Sequence, residues 1–531
     1  MPNSMFLFIL SFLFGIGGLS GASNLNDNDN EWINGFIKLT SEMKRLDAAA
    51  LSVRKNRIKN WDKILSDLKG ELKEAKNLDE TLLVFEKLDA SYPNLHSYVT
   101  FADAIKRKDI KVPVAGISRL WRGEKDVIFQ ITSISEDPKI KGDIKAGDEL
   151  IAINGRSMDK WSEENFEFCK WPLREQCDDD LFKNLVNNYL SWKNSDPLYY
   201  TLKRGGNTWD IQIPLKNPQK RNRKKYPTCE EENSRYPGYS LTYAGARLCL
   251  YNNLTAPPIM RVMRFKYTKE DKDITSVNEE IERVKDYWMK NATWDHLIID
   301  VAGNGGGSDP IAYYKLFFKE PFQEQWAQFK KGEEIEDETL RKSIFWNSTA
   351  HEISFQNLIK SGGYEKLKAG EFLPKVPMFC ADDSKSCSEG KFIPFEHSFD
   401  GKISLIVDQY CVSSCDGFVY ELKDSLKDKV RIVGQPQSAD TAFSRLDLAL
   451  YMTQENTLEV KVEPISAPFS ENTILKQTVV VTRSVTEDGR VVDGVPEKVD
   501  IFIPDTNSGR WIHEAVSKAI NTRWKAINHL H

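Results

Sequence analysis

No Cys-x-x-Cys pair occurs in this chain, and its eight cysteines are scattered along it as neighbouring couples, a pattern that speaks against a structural zinc site. No Gly-Lys-Ser/Thr follows the glycine-rich stretch Gly303-Asn304-Gly305-Gly306-Gly307, and the Gly-x-Gly-x-x-Gly spacing is not met there. A phosphate loop and a dinucleotide fingerprint are therefore both missing, and no cofactor is expected. An excess of positive charge is missing too: the formal net charge is −5. The basic run Lys220-Arg221-Asn222-Arg223-Lys224-Lys225 is short and is followed by Glu230-Glu231-Glu232, so it reads as a solvated linker and not as a nucleic-acid surface. No internal repeat or low-complexity tract is visible.

Long apolar runs are almost absent. The exception is residues 5–19, of signal-peptide length, with Ser20-Gly21-Ala22 offering small residues for cleavage. The tail before it has no lysine or arginine, which leaves an uncleaved anchor as the alternative, though the run is short for a membrane span. A signal peptide over 1–22 implies export, to a periplasm or to the medium, with no stable membrane span after its removal. An even cysteine count on an exported chain favours disulfides. The couples are Cys169 with Cys177, Cys229 with Cys249, Cys380 with Cys387, and Cys411 with Cys415; connectivity cannot be read from the sequence, and two buried thiols are the alternative for the last couple.

Two segments carry the chemistry. Ile403-Ser404-Leu405-Ile406-Val407 reads as a buried strand, followed by the turn Asp408-Gln409-Tyr410-Cys411-Val412-Ser413-Ser414 and a helical pattern from Phe418. A serine at such a junction has an exposed hydroxyl near the positive end of a helix, which suits a nucleophile that forms an oxyanion. About a hundred residues earlier, His296-Leu297-Ile298-Ile299-Asp300 runs into the loop with glycines at 303, 305, 306 and 307, whose bare N–H groups can face a substrate or anion.

Together these segments resemble the tail-specific (C-terminal processing) and tricorn-core serine peptidases. Asp300-Val301-Ala302-Gly303-Asn304-Gly305-Gly306 is similar to that family's Asp-Leu-Arg-x-Asn-x-Gly-Gly, with Ala302 where arginine is usual. Ile259-Met260-Arg261-Val262 resembles the strand that opens the catalytic core, and Val433-Gly434-Gln435-Pro436 the family's Val-Gly-x-Pro. Upstream, Ala146-Gly147-Asp148-Glu149-Leu150-Ile151-Ala152-Ile153-Asn154-Gly155 resembles a PDZ hallmark. The resemblance covers roughly residues 80 to 515. It implies an α/β fold: a crotonase-like ββα catalytic core of mixed sheet and helices, an inserted PDZ-like β domain and an N-terminal helical region.

The family's lysine branch is a poor match, because Gln437-Ser438-Ala439-Asp440-Thr441-Ala442 contains no lysine. The histidine branch matches better: of seven histidines, His96, in Tyr92-Pro93-Asn94-Leu95-His96-Ser97, stands where that branch has its base. By this resemblance Ser413 is the nucleophile, with Ser414 the alternative, and His96 the general base. Glu471 is the third member by distance along the chain, with Asp493 as alternative. N–H groups of Gly305, Gly306, Gly307 and Ser414 form the oxyanion hole. The implied activity is an exported serine endopeptidase acting on protein or peptide substrates, in unstructured or C-terminal segments; a non-catalytic binder of peptides or an apolar ligand on the same fold is the alternative. Oligomeric state is not legible. The expected organisation is a signal peptide at 1–22, helices over 27–111, a PDZ-like domain with a helical insertion over 112–216, a polar linker at 217–237 and the catalytic core at 238–515.

Overall fold

A computed structural model describes residues 29–49, 60–105, 112–216, 227–505 and 510–524, except 125, 135–142, 172–175, 178–197, 268–273, 275, 292, 309, 323–325, 380–390 and 442–443. The expected signal segment, the basic run at 220–225 and the Cys380/Cys387 couple lie outside the described residues, as does much of the helical insertion expected within 112–216.

The strand Lys402–Val407 is buried along nearly its whole length because it lies inside a parallel sheet, with His296–Asp300 on one side and Val430–Gly434 on the other. Among the described residues this sheet has seven strands. It begins as an antiparallel meander of Ser240–Ala244, Leu248–Asn252 and Ile259–Val262, then continues in parallel to Ile501–Phe502. Alternation along each strand feeds two cores. Leu297, Ile299 and Leu405 face one side with Val284 and Trp288 of the helix Val277–Asn291; Ile298, Ile406 and Val433 face the other with Ala515 of the helix Trp511–Asn521. The buried positions 277, 281, 284 and 288 form one stripe of their helix, the spacing that seats it on a sheet.

Register decides where the chemistry can be. Asp300 lies opposite Ile406, and Val407 opposite Gly434, so the carboxyl ends of three adjacent parallel strands finish together. The loops that follow all leave the same edge, where open α/β sheets place their sites.

A second, antiparallel sheet of Val99–Phe101, Thr473–Val480, Arg445–Met452 and Leu458–Pro464 joins the start of the chain to its end. The helices Asp29–Leu46, Trp61–Glu74 and Leu78–Ser91 cover it through Phe36, Leu39, Leu68 and Phe85. Asn60 and Asn77 cap the second and third of them by accepting from the N–H groups of Lys63 and Glu80. A further antiparallel sheet lies within residues 112–216. Its strands Ala115–Gly123, Asp126–Ile134, Glu149–Ile153, Leu198–Arg204 and Asn207–Ile213 pair antiparallel, and the last two make a hairpin. Buried Asp148 holds the turn before Glu149 by accepting from Lys145 N at 2.7 Å and from Arg204 Nε at 2.6 Å.

The helix Ser414–Leu426 carries a carboxylate at odds with its surroundings. Burial pushes Glu421 up to about 7; the Ser425 hydroxyl at 2.8 Å opposes this only in part, and Asp424 and Glu487 add to it. A carboxyl raised on folding makes the folded state hold its proton more tightly. Its stabilising contribution is therefore complete below about pH 4.5 and is lost as pH rises through about 7. Glu421→Gln should consequently gain on the wild type over that interval, by about 1–2 kcal/mol, and stay level above it. Thermal melts of both proteins between pH 4.5 and 8 would show a widening gap; a constant gap would contradict the assignment.

Candidate active site

The turn between Val407 and the helix Ser414–Leu426 holds Ser413 at φ 63°, ψ −122°. A serine is rarely found in this conformation, which costs about 1–3 kcal/mol and persists only where the surroundings impose it. Several contacts impose it here. A disulfide joins Cys411 and Cys415 on either side of Ser413. The Ser413 N–H is shared between Asp440 O at 3.0 Å and Asp416 Oδ2 at 3.2 Å. Asp416, in the first turn of the helix where the dipole favours an anion, also accepts from the Ser438 hydroxyl, Ala439 N at 2.9 Å and Asp440 N at 3.0 Å. Burial pushes its carboxyl up to about 7, against the pull of these donors. One fully buried carboxylate thus fastens the serine turn to the 438–440 loop.

His96 lies between the helix Leu78–Ser91 and the strand Val99–Phe101. Its Nδ1 is 3.1 Å from Oδ1 of Asp440, which is fully buried, while the imidazole stays partly open, its side chain 15% exposed. Asp440 also accepts from Leu95 N at 2.5 Å and Asn94 Nδ2 at 3.2 Å, so three donors from residues 94–96 converge on one carboxylate. Its side chain therefore holds the histidine while its backbone carbonyl holds the serine N–H.

The glycine loop lies against the same turn. A Cβ placed on Gly306 would meet Val412 O at 2.4 Å and Ser413 Cβ at 3.0 Å, so this approach requires glycine. Asp408 ties the two loops together by accepting from Gly303 N at 2.9 Å and Tyr410 N at 3.0 Å. Asn304 shapes the glycine loop from inside, its Nδ2 donating to Val262 O at 3.2 Å and its Oδ1 accepting from Gly306 N at 3.0 Å. The Gly306 N–H, expected in the oxyanion hole, is thereby occupied. Among the described residues no acceptor takes the N–H groups of Gly305, Gly307 or Ser414, whereas the Ser414 hydroxyl donates to Gly307 O at 3.2 Å.

The residue at 302, alanine where arginine was expected, is buried, and the cations beside Asp300 come from elsewhere. Arg261, on the neighbouring strand, lies 3.5 Å from Asp300, and Arg235 lies 3.3 Å from it; the Tyr236 hydroxyl donates to Asp300 at 2.6 Å. Burial alone would raise the Asp300 carboxyl, but Arg261 and Arg235 outweigh it and hold the group below the ordinary aspartate range. Its other oxygen accepts from Ala302 N at 2.8 Å, which starts the turn into the glycine loop.

The structure does not bring Glu471 or Asp493 to the imidazole as its carboxylate. Glu471 is exposed in the turn before Thr473–Val480. Asp493 is buried but accepts from Thr441 Oγ1 at 2.6 Å, Thr441 N at 3.1 Å and Ser484 N at 2.8 Å, bracing the loop beyond Asp440. The carboxylate on His96 is Asp440. It is the one acid in the stretch 437–442, where the family's other branch has its lysine. Disulfides Cys169–Cys177 and Cys229–Cys249 accompany Cys411–Cys415.

This is the core of a peptidase: a strained serine at the end of a parallel strand, with a glycine loop and a histidine–carboxylate pair held against its turn. Residues 259–485 match the model of Peptidase family S41, in keeping with a peptidase. A comparison with curated proteins found no match. Among solved structures, mature CPAF aligns with a TM-score of 0.62 at 13% identity, covering 92% of this chain and 96% of that chain. Mature CPAF complexed with lactacystin aligns with a TM-score of 0.61 at 14% identity, covering 92% of this chain and 97% of that chain. At these identities the likeness is one of fold. Among the described residues no helix is long and apolar enough to cross a membrane.

Proposed function

We propose that this protein is an exported serine endopeptidase in which Ser413, His96 and Asp440 act as a triad. The observation that carries the reading is Asp440, whose carboxylate meets His96 Nδ1 and whose carbonyl meets the Ser413 N–H. With Nδ1 held by an acceptor, the neutral ring keeps its proton there, and Nε2 is the ring atom whose lone pair takes one. Ser413 Oγ attacks the substrate carbonyl carbon and its proton passes to Nε2. The imidazolium, stabilised by buried Asp440, then protonates the departing amine as the C–N bond breaks, and water hydrolyses the acyl-enzyme by the same steps. N–H groups of Gly305, Gly307 and Ser414 are the donors available to the oxyanion. The occupied Ser414 hydroxyl favours Ser413 as nucleophile. Unstructured or C-terminal protein segments are the proposed substrates, as the resemblance to C-terminal processing peptidases implies.

Fluorophosphonate labelling of the full-length protein tests this. The wild type and Ser414→Ala should be labelled, and Ser413→Ala and His96→Ala should not. A folded wild type that takes no label would overturn the reading.

A further inference from the structure

We infer that Lys170 and Gln176, carried on the loop closed by the Cys169–Cys177 disulfide, are positioning residues for the His96–Asp440 pair; this rests on the catalytic reading above. The loop lies within residues 112–216, not in the core that holds the serine. Lys170 Nζ donates to Ser97 O at 2.9 Å and to Asp89 Oδ2 at 2.5 Å. The ion pair is largely buried, each side chain 12% exposed. The other Asp89 oxygen accepts from Gln477 Nε2 at 2.9 Å and Ser97 Oγ at 3.3 Å, and Ser97 Oγ donates to Thr478 O at 2.6 Å. Ser97 is the residue after His96, so the ammonium fixes the backbone from which the imidazole hangs.

At the far end of the same loop, buried Gln176 donates from Nε2 to Gln437 O at 3.0 Å and Pro436 O at 3.4 Å. Those carbonyls begin the 437–440 loop, which leads to Asp440 on His96. Between Cys169 and Cys177, then, one residue grips the backbone next to the histidine, at Ser97, and another grips the backbone a few residues before its carboxylate, at Pro436 and Gln437. Both cysteines are buried, and their bond sets the distance between the two grips. A buried lysine–aspartate pair gives little stability that an apolar pair would not; its directed bond to Ser97 O is what an apolar residue cannot supply. A shift of an ångström between base and carboxylate is the kind of error that costs about 10²-fold in rate.

The test uses the full chain with Lys170→Met, Gln176→Leu and the pair combined, each in the wild-type and the Asp440→Asn background. The readout is the rate of fluorophosphonate labelling, followed for hours in the slow background. Each single substitution should slow labelling about tenfold and the pair about 10²-fold in the wild-type background. In the Asp440→Asn background the same changes should cost less than about twofold, because positioning acts only through the pair it positions. Lys170→Gln, which keeps a donor for Ser97 O, should recover most of the rate and covers the case in which Lys170→Met fails to fold. Wild-type rates in the variants, or equal losses in both backgrounds as a mere brace would give, would overturn the inference while leaving the triad standing. An unlabelled wild type would overturn the triad and this inference with it.

Discussion

Asp440→Asn should lower kcat by about 10³–10⁴-fold and leave KM within a few-fold, because substrate contacts are untouched while the base loses its partner. An amide offers one acceptor oxygen where the carboxylate offers two, and three donors from residues 94–96 converge on it. The asparagine NH₂ must then face one of those donors. If it faces His96 Nδ1, that nitrogen becomes an acceptor and the ring proton moves to Nε2, the position that has to receive the serine's proton. The negative charge that stabilises the imidazolium is lost as well. Glu471→Gln is the informative companion: exposed and remote from the ring, it should stay within twofold of wild type. Steady-state kinetics on an unfolded protein substrate would decide between them, and the reverse ranking would return the third catalytic role to Glu471.

Gly306→Ala should cost about 10²–10³-fold in kcat, the penalty of misplacing an oxyanion donor, though its own N–H is not a free donor. Gly306 has φ 74°, where a Cβ is strained, and that Cβ would lie 2.4 Å from Val412 O. The obstructing atom is backbone, so either the glycine loop or the serine turn must give way, and both supply parts of the site. Moving the loop also breaks the Gly306 N–H bond to Asn304, which holds the N–H groups of Gly305 and Gly307 in place. Gly305→Ala meets nothing within 4 Å and keeps its N–H, so its loss should be far smaller. Comparable losses for the two alanines would show that the loop needs flexibility and not the close approach.

The strand, turn and helix around Ser413 were legible because each signal is local: an apolar run, a polar interval, a helical spacing. The strand ending at Asp300 and its glycine loop were legible for the same reason. What escaped depends on groups far apart in the chain. Asp440 has no local signature; it becomes the partner of His96 only because Val99–Phe101 and Arg445–Met452 both pair with Thr473–Val480. The fate of the Gly306 N–H turns on the orientation of the Asn304 side chain, which glycine spacing does not encode. Ala302 looked like a defect when the strand was read alone. The cations lie at 235 and 261, and only the fold shows that they reach Asp300.

The bond between His96 and Asp440 joins residues 344 positions apart, and this sets when the protein can become dangerous. A chain emerging from synthesis presents its histidine first, and its serine more than three hundred residues later. The carboxylate follows, and the strand that locks the two ends together comes after that. Closing so long a loop comes late in folding, once distant segments have paired. By the proposed mechanism, a half-made copy still lacks its serine and carboxylate, and a complete but half-folded one has the catalytic atoms without the pairing, so neither should cut its neighbours or itself.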